Sequence, residues 1–510
     1  MKKVIVFLVL GIFLYTSNTA SASTNKVSGK KKTKVFVMFR FSGPAFDAST
    51  LKLSKEEYER RILTNEEIMN EVKKRCKGVE FIGNNYPIET DEEALRKLDS
   101  LPEDVDGIVI FGPLSYGHAF GGPLTNKLIK TDLPIIVVFP FWGMWQEDFS
   151  YQGYKGKKIL TAQISVVRDN SRAVESSRFE DLGKKIMLID AITQLKGYRI
   201  LSVTDNPPLG RFTTSYGKEY EKTYVDNLKK IFGVELVTIP QKELFNKIQE
   251  ILKSEYSKAK QIAEMWIVEA EEVMWDEVTK DDIIKSAATY LAMKKLRDKY
   301  NCNTVTTEGY HGFAYFEEGC IPFQGLASMQ ISTEEPVAAP SETLLYSLII
   351  QQLGLNMSGK PGINGDYLID NFNNVVHIMH CEGPLNVYGD ERRCPYNIRS
   401  MWFQFENQQG AVVEIKYPLD ETVTVVGMGI NEKMLSVFTG KTIAGRTIFE
   451  DLNNMYCRSK LVIKTDAEAL LENVNWEIFN QHRVAFYGDF RKDFKNLAKL
   501  IGFEIIEDDR

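Results

Sequence analysis

The feature that most constrains this chain is an alternation beginning at Lys34, in which short apolar runs at 35–39, 79–82, 107–111 and 135–139 are separated by charged segments with helical spacing at 55–76 and 91–98. Runs that are apolar at every position have no face to offer to water, so each predicts a strand covered on both sides. Strands alternating with helices predict a parallel sheet of the doubly wound kind. The theme repeats after a helical segment at 179–195. Runs at 198–203 and 234–239 flank a helix at 220–231, and long helical patterns at 248–272 and 281–300 lead to a further run at 301–307. A length of 510 residues fits such a succession of cores, since one core rarely serves more than about 250–300 residues.

Near residue 330 the pattern changes. One helix at 341–353 is followed by β-rich runs at 375–380, 411–417, 421–426, 434–438 and 460–463, then a helix at 467–472, a run at 483–487 and a closing helix at 492–501. The expected fold is therefore α/β: two doubly wound, Rossmann-like parallel-sheet domains (34–165 and 166–330), then a mainly antiparallel β-rich C-terminal domain (331–510). No repeat with a period of 20–50 residues is present, which disfavours a solenoid.

Ahead of these units stands a basic Met1-Lys2-Lys3, an apolar run at 4–15 and the small-residue triplet Ala20-Ser21-Ala22. These predict a signal peptide over 1–22, a polar leader over 23–33 and export to a periplasmic or extracellular location. The apolar run is shorter than the ~20 residues a spanning helix needs, so no stable membrane span is expected after cleavage. The six cysteines form no Cys-x-x-Cys pair, which excludes a zinc knuckle and a dense disulfide framework. A net charge of −6 argues against a nucleic-acid partner and favours a small or neutral ligand.

Chemistry first surfaces at His380. In Val375-Val376-His377-Ile378-Met379-His380, strand alternation puts the two histidines on opposite faces, so only one of them can point into a given site. The following Cys381-Glu382-Gly383-Pro384 forces a turn and leaves His380 at the strand's end, where sites form. The bland alternative is a hydrogen-bonded core or surface histidine.

The stretch from Asn374 through His380 to Pro384 resembles the strand and turn that supply a metal-binding histidine in the L-fucose/L-arabinose isomerase superfamily. Pro361-Gly-Ile-Asn-Gly-Asp366 is similar to that family's loop bearing an acidic ligand, and Gln481-His482-Arg483-Val-Ala-Phe486 to a later segment with a second histidine. More weakly, Cys320-Ile-Pro-Phe-Gln-Gly-Leu326 also matches. Over the first two domains only the architecture agrees. At the start of the 341–353 helix the family carries Glu, often followed two residues later by Asp, whereas this chain reads Val337-Ala-Ala-Pro340-Ser341-Glu342-Thr343. Pro340 or Ser341 falls on the Glu, and Glu342 matches the Asp or lies between the two.

The resemblance implies a metal-dependent aldose–ketose isomerase acting on a pentose, hexose or modified sugar through an enediolate. Asp366, His380, His482 and Glu342 would surround Mn²⁺ or another divalent transition metal, a preference that mixed carboxylate and imidazole ligands share. Glu342 and Asp366 would be catalytic, because such a reaction needs a carboxylate to carry a proton between adjacent carbons. It also implies a homo-oligomer, a trimer, tetramer or hexamer. Each residue has a plainer reading. Glu342 in a first helical turn would offset the macrodipole, Asn364-Gly365-Asp366 is a ready-made turn, and His482 can simply start a strand.

Three further positions are expected near a sugar. His118 lies in a glycine-rich loop (111–123) after a buried-looking strand, without the GxGxxG spacing of a dinucleotide site. Trp142, with Trp145, can stack on a sugar face or sit in the core. Glu318, in the pair Glu317-Glu318, offers another carboxylate. Two rival classes stand beside the isomerase: an exported sugar-binding protein that keeps the cleft without the chemistry, and an exported structural component.

Overall fold

Five strands open the structure: β1 (Thr33–Phe39), β2 (Val79–Pro87), β3 (Gly107–Phe111), β4 (Ile135–Phe139) and β5 (Ile159–Gln163). They form one parallel sheet in the order β2-β1-β3-β4-β5. The computed structural model describes residues 31–510 apart from 41–53, 55, 58–59, 61–62, 89, 113–121, 140–156, 167–174, 209–216, 309–323, 401–409 and 445–456. Every residue of β3 and β4 is buried, as their unbroken apolar runs predict. On one face Val37, Val109 and Val138 pack with Ile68 and Val72 of the helix Asn65–Arg75 and Leu182 and Ile186 of the helix Glu175–Thr193. On the other face Met38, Ile110 and Val137 meet Ala94 and Leu98 of the helix Asp91–Asp99 and Leu124 and Leu128 of the helix Pro123–Leu128.

The second parallel sheet runs β7-β6-β9, from β6 (Arg199–Val203), β7 (Glu235–Ile239) and β9 (Thr304–Thr307). The single helical pattern expected over 248–272 proves to be two helices, Gln241–Ser254 and Tyr256–Glu269, broken at Glu255. The break lets both lie against the helix Lys280–Lys299, where Leu244, Ile251, Ala263 and Trp266 share a core with Ile284 and Ala288. Between them and the third part runs a small sheet, β13-β12-β8, of β8 (Glu272–Val273), β12 (Tyr396–Ser400) and β13 (Ala411–Ile415).

The remaining strands are β10 (Ile363–Asp370), β11 (Val375–His380), β14 (Thr422–Gly429), β15 (Met434–Thr442), β16 (Ser459–Lys464), β17 (His482–Tyr487) and β18 (Glu504–Glu507). They pair in the order β14-β17-β10-β11-β16-β15, and β15 pairs again with β14. Six antiparallel strands therefore close into a barrel, which removes exposed sheet edges, and β18 adds in parallel to β15. The antiparallel third part is as expected, but two of its details differ. The segment expected as a loop, 361–366, enters β10, so Asn364-Gly365-Asp366 is strand and not turn. The helix expected from Ser341 starts only at Leu345 and runs to Ser358.

One face of the barrel (Val426, Val437, Val484 and Phe486) packs against the helices Leu345–Ser358 and Arg491–Ile501, in the same core as the helix Glu175–Thr193 of the first sheet. Burying each such side chain contributes ~1.5–3 kcal/mol, so this shared core ties the barrel to the parallel layer. No helix among the described residues is long and apolar enough to cross a membrane.

Candidate metal centre

Glu342 sits in a turn, not a helix. It has φ 69° and Thr343 has φ 52°, both left-handed values that non-glycine residues seldom adopt. The macrodipole role open to a first-turn acid is thereby excluded: the helix is capped by Leu344, without a side-chain cap. Long-range bonds hold the turn. The Ser341 N–H donates to both oxygens of Glu382, at 2.8 and 3.0 Å. The Thr343 N–H donates to the carbonyl of Thr307 at the end of β9, at 3.0 Å. Just upstream, the Thr306 hydroxyl donates to the Pro340 carbonyl at 2.7 Å.

The two histidines arrive on β11 and β17, the strands on either side of β10. His482 opens β17 opposite Asp366, and His380 closes β11. Between them lies Gly365, where a Cβ would stand 2.6 Å from the Met379 carbonyl oxygen. Glycine is required for β11 to come that close across β10, and the imidazole rings meet with centroids 5.5 Å apart. Behind His482, the Arg483 guanidinium donates to the carbonyls of Phe479, Asn480 and His482 at 2.7–2.9 Å, which fixes the approach to β17.

The result is one buried cluster. His482 Nε2 lies 3.4 Å from Glu342 Oε2 and 3.5 Å from Asp366 Oδ1, and His380 Nε2 lies 3.9 Å from Glu342 Oε1. Among the described residues, Glu342, His380 and His482 form the group whose ligand atoms all fall within 4.8 Å of one another, and all three are buried. Such a group can hold a metal ion. Two features of the donors fit one. Both ring nitrogens of buried His380 are without a hydrogen-bond partner, a costly state for an interior polar group unless something else satisfies it. Burial, reinforced by the neighbouring His482, pushes the His380 imidazole down to about 3, so it is neutral and offers a lone pair near pH 7.

Asp366 stands at the rim. Its side chain is 29% exposed, its Oδ1 accepts from Gln481 Nε2 at 2.6 Å, and Cys457 Sγ lies 3.8 Å from its Oδ2. Behind His380, Glu382 is almost wholly buried, with Oε1 3.8 Å from His380 Nδ1. Burial pushes its carboxyl up to about 7, against the bonds from Ser341. His377 is fully buried and stands outside the group, as the alternation along β11 predicts.

Neither a protein-family model nor a curated protein matches this chain. The site is therefore defined by its own geometry. It brings together Glu342, His380, His482 and Asp366, whereas His118, Trp142 and Glu318 lie outside the described residues, as does the expected signal peptide. Sequence reasoning missed Glu382, Gln481 and the meeting of Cys381 with Cys457 around Val412. Glu382 and Gln481 are direct neighbours of quoted histidine motifs, but nothing in their spacing shows which way they turn.

Proposed function

We propose that this protein is a divalent-metal-dependent ketol isomerase that interconverts an aldose and a ketose, with Mn²⁺ as the preferred ion. The observation that supports the reading most is the buried Glu342, His380 and His482 triad with a second, partly open carboxylate, Asp366, 3.5 Å from His482. A ligand set of two imidazoles with carboxylate oxygens suits Mn²⁺ among the available ions.

Each residue then has a task. His380 and His482 enter as neutral ligands, and Glu342 faces both rings from its fixed turn. A bound divalent cation would supply Lewis acidity toward the two adjacent oxygens of the sugar. Asp366 is the carboxylate that open solution reaches, so it takes the proton from C2 of the aldose and returns one to C1. A proton passes between the oxygens on C1 and C2, leaving the sum of atoms unchanged. Gln481 donates to Oδ1 of Asp366 at 2.6 Å and so orients the carboxylate for that proton. Glu342, the second carboxylate, serves the oxygen-to-oxygen transfer. Export of such an enzyme, and a homo-oligomeric assembly, belong to the same proposal.

The test is incubation of Mn²⁺-loaded protein with a panel of pentoses and hexoses in D₂O. The reading expects one aldose to yield its ketose with deuterium at C1, and Asp366→Asn to abolish exchange. Metal uptake without ketose or exchange from any sugar would sink the isomerase and leave a sugar-binding role for the same cleft.

A further inference from the structure

Glu382 belongs to no ligand set, yet one carboxylate group touches two members of the triad's support. Its oxygens accept the Ser341 N–H, the residue immediately before Glu342, and its Oε1 faces the nitrogen of His380 that points away from Glu342. We infer that Glu382 is a positioning residue of the metal centre: its carboxylate selects the Nδ1–H form of His380 and pins the turn that presents Glu342. The inference rests on reading Glu342, His380 and His482 as a metal site.

The geometry argues for both halves. His380 lies between two carboxylates, with Glu342 3.9 Å from Nε2 and Glu382 3.8 Å from Nδ1. A neutral imidazole carries one proton, and the nitrogen without it supplies the lone pair a metal needs. Glu342 belongs to the triad, so Nε2 is the metal-facing atom and Nδ1 must hold the proton. At 3.8 Å the Glu382 contact is longer than a hydrogen bond, but a buried acceptor at that distance still favours a proton on the facing nitrogen. Outer carboxylates that orient ligating histidines in this way raise metal affinity, and their loss typically weakens binding about 10–100-fold.

The second half concerns the turn. Two consecutive left-handed non-glycine residues persist only where neighbours hold them. The flanking N–H groups are held from opposite sides, Ser341 by Glu382 just past the barrel strand β11 and Thr343 by β9 of the parallel sheet. Glu382 thus supplies the barrel's half of the clamp. The Ser341 N–H reaches both oxygens of this carboxylate, at 2.8 and 3.0 Å, which holds it against the turn.

Glu382→Gln separates these roles from general stability. The amide keeps an oxygen for the Ser341 N–H but removes the negative charge that favours a proton on Nδ1. Two readouts are needed: the His380 tautomer in metal-free protein, from ¹⁵N shifts of histidine-labelled samples, and Mn²⁺ affinity by calorimetry. The inference expects Nδ1–H in the wild type, a shift toward Nε2–H in Glu382→Gln, and Mn²⁺ binding weakened by roughly 10–100-fold. Glu382→Asp, which keeps the charge, should retain the wild-type tautomer, and it replaces the first variant if Glu382→Gln does not fold. A wild-type Nε2–H tautomer overturns the inference, as does a Glu382→Gln protein that binds Mn²⁺ like the wild type with an unchanged tautomer. If the wild type binds no Mn²⁺, the metal reading fails on its own, and the tautomer in metal-free protein still decides whether Glu382 orients His380.

Discussion

Glu342 reaches the centre through a backbone conformation that costs about 1–2 kcal/mol per residue in an L-amino acid, and Thr343, β-branched, shares it. Strain of this kind persists only when surrounding bonds impose it, and it is concentrated at functional sites. The side chain it delivers is also unfavourable by itself, being a buried acid that shares His482 with Asp366 and faces the neutral His380 ring. A cation relieves both acids at once. Removing one charge should therefore help the metal-free fold while harming binding. Glu342→Gln is expected to melt at the same or a higher temperature than the wild type without metal. Its Mn²⁺ affinity should fall by more than the roughly 10–100-fold typical of an outer partner. Scanning fluorimetry and calorimetry on chelator-treated protein would check this, and unchanged Mn²⁺ binding would remove Glu342 from the ligand set.

Among the elements, β10 decides whether the two histidines meet, and Gly365 is its critical position. A methyl group there would lie within 2.6–2.8 Å of three backbone atoms of Met379, so β11 has to move. Gly365→Ala is expected to cost about 1–3 kcal/mol, as overpacking does, and to weaken Mn²⁺ binding although no ligand has changed. A stable variant with wild-type affinity would show that the close approach is not needed. The same strand shows what could be read in the sequence. The divergence of His377 from His380 followed from alternation alone, and the apolar runs of β1, β3 and β4 declared a sheet covered on both faces. Asn364-Gly365-Asp366 has the composition of a turn, and barrel closure overrides it. Pro340-Ser341-Glu342 looks like a helix start, yet Ser341 and Thr343 bond to Glu382 and Thr307, partners 41 and 36 positions away that no local pattern reveals. Glu382 was hidden for the same reason, since only the fold turns it back toward His380.

For the whole molecule, the centre lies where the closed barrel meets the second parallel sheet, and each body contributes a hydrogen bond to the Glu342 turn. Acid should act on this assembly through its buried histidines. His377, pushed down to about 4 by burial, takes no proton in the folded state between its ordinary 6.5 and that value, whereas the unfolded chain does. Stability therefore falls as the pH drops through this window, by up to ~1.4 kcal/mol per pH unit for that one group. Denaturant titration of metal-free protein at about pH 7 and about pH 5 should show a smaller loss in His377→Gln than in the wild type, and equal losses would contradict the assignment. The central claim is that His380, and not its neighbour on β11, holds a metal with Glu342 and His482. The most direct test is elemental analysis after equilibration with Mn²⁺ and removal of free ion, on the wild type, His380→Ala and His377→Gln. About one ion per chain is predicted in the wild type and in His377→Gln, and none in His380→Ala; a wild type without metal, or a His380→Ala protein that keeps it, would contradict the account.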